Sequence, residues 1–120
     1  MTQITPKQTK EFLETLFRNK ITEAERILQQ LHEKHPDDTR YIHALKGIFQ
    51  SHVGEDKDSL LHTVYRNEKI WRERKKLAKT LIDQGETFGA KDRFFEAWND
   101  VLNLLDKLPE PAKITGRSAD

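Results

Sequence analysis

The densest chemistry in the sequence is a run of cations. Between Arg66 and Lys79 stand Arg66, Lys69, Arg72, Arg74, Lys75, Lys76 and Lys79, with only Glu68 and Glu73 against them. On a helix, Arg72, Lys75, Lys76 and Lys79 share one side at three- and four-residue steps. Such a side meets phosphates by charge, and Trp71 beside it offers a ring on which a base stacks. The same charges suit an acidic protein partner, and a solvated helix face is the plainer reading. No RNA-binding signature accompanies the run.

The other reactive residue types make weaker patterns. His32 and His35 are three apart, but zinc needs two further ligands, and His43, His52 and His62 lie on other elements with no cysteine to help. Glu55, Asp56 and Asp58 around Gly54 lack the remaining ligands of a calcium loop and read as helix-start charges. Ser51 and His52 are adjacent, which does not make a triad. Gly85 and Gly89 have neither the preceding strand nor the Lys of a phosphate loop. No catalytic residue, metal or cofactor is expected.

Composition bounds the rest. The chain has 120 residues, 35% apolar and 34% charged, with 21 Lys and Arg against 20 Asp and Glu, a net charge of +1 and no cysteine. That length suits one domain of ~100–150 residues. No run approaches the ~18 apolar residues of a membrane span. No apolar signal segment stands at the start. Absence of cysteine fits a cytoplasmic protein.

The elements that must carry these residues read as helices. Thr5-Pro6-Lys7-Gln8 is a capping box with Pro at the first helical position. Phe12, Leu13, Leu16 and Phe17 follow at helical spacing, and the helix stops near residues 18–20. Thr22 to Glu25 forms a second box, followed by Ala24, Ile27, Leu28 and Leu31, and Pro36 forbids continuation. Asp37, Asp38 and Thr39 offer caps for a third helix with Tyr41, Ile42, Ala44, Leu45, Ile48 and Phe49 on its face. Leu60, Leu61, Val64 and Tyr65 mark a fourth, with an interruption at Asn67. A long basic helix is expected near residues 68–90, running through Gly85; a break at Gly85 is the competing reading. The last helix carries Phe94, Phe95, Ala97, Trp98, Val101, Leu102, Leu104, Leu105 and Leu108, apolar over about half its circumference. Pro109 ends it, and residues 109–120 read as a flexible tail. No strand is predicted.

Residues 18–36 and 91–109 match when superposed: Glu23 on Glu96, Ala24 on Ala97, Leu31 on Leu104, Lys34 on Lys107 and Pro36 on Pro109. A small Ala, an apolar residue four later and a terminal Pro resemble the second helix of the tetratricopeptide repeat (TPR), here Ala24, Leu28, Pro36 and Ala97, Val101, Pro109. In that register Gly85 and Phe88 fall at the first helix's Gly and Tyr. The middle pair has Asp58 at the small position, and no copy keeps the leading Trp-Leu-Gly set. The resemblance implies an all-α, TPR-like array of about six helices over residues 1–108. It implies a non-catalytic adaptor or assembly module that binds protein on its inner face, with Thr9, Leu13, Arg40, His43, Gly47, Gln50, Lys79 and Ile82 pointing there. The family's carboxylate-clamp pattern is not recognisable. The very apolar last helix is either buried on both sides, against the long fifth helix, or exposes a patch for a partner, which leads to a further expectation, a homodimer or a bound protein at that end. RNA or DNA binding through residues 66–79 is the alternative function.

Overall fold

The computed structural model describes residues 3–54, 59–87 and 93–108. Helix α1 spans Pro6–Phe17, and its capping box forms as the sequence predicts. Gln8 N–H donates to Thr5 Oγ1 at 3.2 Å, and Thr5 N–H donates to Gln8 Oε1 at 2.9 Å. The exit turn places Asn19 at φ 64°, a left-handed conformation that Asn tolerates better than most residues.

That turn re-enters a helix at once, so α2 begins at Ile21 and spans Ile21–Lys34. Ala24 N–H already bonds Lys20 O at 2.9 Å. The expected box at Thr22 to Glu25 therefore lies inside the helix and is not used. His35 caps the far end before Pro36. Helix α3 spans Thr39–Val53 with Asp38 at its N-cap, but Asp38 makes no side-chain cap. Its carboxylate is committed elsewhere, as described below.

Ser59 caps α4, Leu60–Arg66, and Asn67 is the predicted interruption, in extended conformation. The Asn67 side chain accepts from Ile70 N–H at 3.1 Å and so starts α5, Glu68–Arg72. The expected single helix over 68–90 is corrected here. It turns at Glu73, and α6 covers Arg74–Thr87, passing through Gly85 without a break. The cause of the turn is local. The Arg74 guanidinium sits 4.5 Å over the Trp71 ring and donates to Trp71 O at 2.9 Å, competing for a carbonyl that a continuous helix needs. Residues 88–90 lie outside the described residues, as do the acidic cluster at 55–58 and the tail from 109. Helix α7 spans Arg93–Leu104 and tightens into a 3₁₀ turn at Leu105–Lys107.

Among the described residues there are seven α-helices and no strand, and none of the helices is long and apolar enough to cross a membrane. The expected apolar stripes of α1 and α3 are in the core: Phe12, Leu13, Leu16 and Phe17 belong to one buried cluster with Tyr41, Ala44, Leu45 and Ile48, to which α2, α4 and α7 also contribute. Helix α7 is seated among α1, α3 and α6. Packing on three sides accounts for most of its wide apolar arc, with Ala97, Val101 and Leu102 fully buried and Leu105 likewise in the turn that follows, while Phe94 and Trp98 stay half-buried. The two matched segments are both helical where described, and Ala24 and Ala97 are both fully buried. Their surroundings differ: α2 packs chiefly on α1 and α3, and α7 on α1, α3 and α6. An open solenoid stacks each hairpin only on its neighbours. Here the last helix returns to the first.

Candidate functional site

Three polar and apolar arrangements stand out. The first is a buried clasp. Arg93, at the start of α7, forks onto Asp38, with Nε 3.0 Å from Oδ1 and Nη2 2.8 Å from Oδ2. Nη2 also donates to Ile4 O at 3.1 Å, and Nη1 to Glu96 Oε2 at 3.0 Å. Asp38 in turn accepts from Ile4 N–H at 3.0 Å. Burial alone raises the Asp38 carboxyl, but the Arg93 and Ile4 hydrogen bonds and the charges of Arg93 and His35 outweigh it and hold the group below its ordinary value. The guanidinium lies 4.5 Å over the Tyr41 ring. Tyr41 OH donates to Asp100 Oδ2 at 2.7 Å and lies 2.6 Å from Thr9 Oγ1. Burial pushes the Tyr41 hydroxyl up, and the Asp100 carboxylate beside it adds to the rise; burial also lifts the Asp100 carboxyl, against the hydrogen bond from Tyr41. Every group in this cluster has a protein partner, so it reads as structure that joins the N-terminal segment, α3 and α7.

The second is a groove of about 250 Å³ between α3, α4 and α7. His43, Gly47 and Ser51 line it from α3, Leu60 from α4, and Phe94 and Trp98 from α7. Arg40 stands at its edge, 5.3 Å over the Phe94 ring, and His43 lies 5.8 Å from the same ring. A Cβ added at Gly47 meets nothing within 4 Å.

The third is a groove of about 380 Å³ between α4, α5 and α6, with Leu60, Ile70 and Leu77 as its apolar lining and Thr63, Glu73, Lys76 and Thr80 as its polar one. Ile70 of α5 and Leu77, Leu81 and Ile82 of α6 are only half-buried, and among the described side chains of α6 Ala78 alone is fully enclosed.

The residues singled out in the sequence are divided among these places. Arg40, His43, Gly47 and Gln50 share the exposed side of α3, and the first three meet the aromatic groove. Thr9 and Leu13 are fully buried, so as partner contacts they are corrected to core residues, Thr9 because its hydroxyl serves Tyr41. Lys79 is exposed and Ile82 half-buried on α6, away from that groove. Of the cationic run, Arg66, Lys69, Arg72, Lys75, Lys76 and Lys79 are exposed. Arg74 is not: it stacks on Trp71 and lies 3.7 Å from Asp106. Trp71 is packed against Tyr65 at 5.1 Å as well as Arg74, so its ring is already engaged. Among the described residues no three His, Asp or Glu converge as metal ligands.

Phe94 and Trp98 stand outside the inner face that the repeat register assigns, but both lie on the wide apolar arc of the last helix, where the sequence leads to the expectation of a second copy or a bound protein. Comparison of the chain with family models, with curated proteins and with solved structures finds no match.

Proposed function

We propose that this chain is a non-catalytic protein-interaction module, an adaptor or assembly domain of the cytoplasm, that receives an apolar segment of another protein in the groove between α3 and α7. Gly47 carries the reading. It sits in the middle of α3, exposed, where a glycine costs about 0.5–1 kcal/mol relative to alanine. Nothing in the fold requires the missing side chain, since the space over Gly47 is open. Close approach of a bound chain is a use for that space. Phe94 and Trp98 supply half-buried aromatic surface of the type that anchors interfaces, and Arg40 supplies a rim charge that orients the arrival.

Gly47→Ala should raise stability by about 0.5–1 kcal/mol in urea unfolding, with the slope unchanged. A photo-reactive phenylalanine analogue at position 47 tests the function in extract from the source cells. The expected result is a discrete adduct with another protein that disappears in the Trp98→Ala background. An adduct with nucleic acid only, or none, overturns the reading. An adduct with a second copy makes the groove a homodimer interface instead.

A further inference from the structure

We propose that residues 68–87 have two states, the bent pair α5 and α6 and one continuous helix, and that Arg74 is the latch that holds the bend. Four observations carry it. The interruption is one residue wide: Glu73, at φ −98° and ψ 13°, is all that separates the two helices. Its N–H donates to Lys69 O and Ile70 O, both at 3.1 Å, and the ladder resumes with Leu77 N–H on Glu73 O at 3.1 Å. A rotation of ψ at Glu73 toward the helical value of about −42° joins the two helices.

The apolar residues, secondly, run through the interruption as if it were not there. At ~100° per residue on one continuous helix, Ile70, Trp71, Leu77, Ala78, Leu81 and Ile82 fall within an arc of about 140°. Arg74 falls in the middle of that arc and is the one charged residue on it from Ile70 to Ile82. Thirdly, Arg74 commits its side chain to the bend. The guanidinium lies 4.5 Å over the Trp71 ring, donates from Nη1 to Trp71 O at 2.9 Å and stands 3.7 Å from Asp106 Oδ2. Fourthly, this hold is incomplete. Arg74 Nε–H is buried with no hydrogen-bond partner, and an unmet buried donor is a cost that the bent state carries. The Asp106 side chain is 44% exposed, and at 3.7 Å its contact is long.

The latch therefore opens at its solvent end. Asp106 sits on the 3₁₀ turn that follows α7, and once its carboxylate lets go, the ring and one carbonyl are what keep Arg74 in place. Departure of the guanidinium returns Trp71 O to the backbone ladder. Trp71 packs on Tyr65 of α4 at 5.1 Å, and α4 brings Leu60 and Leu61 to the groove at Gly47, so the joint is mechanically connected to that groove. The two states stand whether or not that groove binds a partner.

Backbone NMR of the whole chain tests the proposal. The Cα shift of Glu73 reports its dihedrals. Amide exchange at Arg74 and Lys76 reports the ladder, because a continuous helix pairs these N–H groups with Ile70 O and Arg72 O. The parent should show a non-helical shift at Glu73 and fast exchange at both amides. Arg74→Leu completes the apolar arc and removes the latch, so Glu73 should become helical and both amides should slow at least about tenfold. Asp106→Asn loosens only the solvent end and should give an intermediate shift with intermediate slowing. A bend that survives Arg74→Leu with exchange unchanged overturns the latch, and a parent already helical at Glu73 does the same. Asp106→Asn identical to the parent shows a joint that does not open, which overturns the second state. Should Arg74→Leu fail to fold, Asp106→Asn decides alone, since its position is exposed.

Discussion

Arg93→Ala should destabilise the protein by about 3–5 kcal/mol, the range for removing one partner of a buried ion pair. The substitution deletes the fork onto Asp38, the bond to Ile4 O and the cation over Tyr41 in one step. It leaves the Asp38 side chain, 5% exposed, with Ile4 N–H as its remaining hydrogen bond from this clasp. The cost lies chiefly in that stranded carboxylate, not in the worth of the pair when intact. Arg93→Lys keeps a charge but loses the planar fork, so its loss should fall between parent and alanine. Urea unfolding measures both, and a loss under about 1 kcal/mol for alanine would sink this account.

The same contact sets a pH dependence. The folded state holds the Asp38 carboxyl below its ordinary value, so its contribution is fully present above about pH 4, the unfolded pKa, and fades as pH falls through the depressed folded value. Asp100 has the opposite sign. Its folded carboxyl is raised by burial, so what it contributes is present below about pH 4 and is lost as pH rises through the raised value. Parent and Arg93→Ala should therefore differ most near neutrality and converge in acid.

Phe17→Ala is the second large loss, about 3–5 kcal/mol for a buried aromatic truncated to a methyl. Phe17 is 1% exposed and meets the Tyr65 ring edge-on at 5.9 Å. Tyr65 passes the contact to Trp71, and Trp71 to Arg74. This row of rings ties α4 and α5 to α1. Hydrogen exchange should therefore rise more at residues 60–72 than in α7. Phe17→Leu, which keeps most of the volume, should cost less than about 1.5 kcal/mol. Uniform exchange across the chain in Phe17→Ala would remove the row of rings as the tether.

What was legible in the residues was what neighbours in sequence decide. Thr5 and Gln8 cap each other three positions apart, and Pro36 stops a helix whatever lies around it. The stripe Phe12, Leu13, Leu16, Phe17 has one satisfactory place, and it is there. The failures come from groups that answer to distant ones. Asp38 looks like a cap, but residue 93 outbids the adjacent N–H groups for its carboxylate. The turn at Glu73 is the exception, local yet invisible to a hydrophobic pattern, because Arg74 takes Trp71's carbonyl. Thr9 looks like an outward polar residue until Tyr41 places a hydroxyl against it. Periodicity marks Ile70 and Leu77 as apolar-face residues, yet it does not say whether this chain or another supplies the cover. The aromatic groove needs α7 laid beside α3, a juxtaposition that no local pattern encodes.

The clasp of Ile4, Asp38 and Arg93 has a bearing on how the molecule is made. On the ribosome the first three helices emerge long before residue 93, and until it arrives their carboxylate at position 38 has no counter-ion in the clasp. A nascent chain halted anywhere ahead of α7 also lacks the central helix on which α1, α3 and α6 rest. Assembly is thus deferred until α7 has emerged, and a release product that stops ahead of residue 93 is expected to be degraded instead of accumulating as a half-built domain.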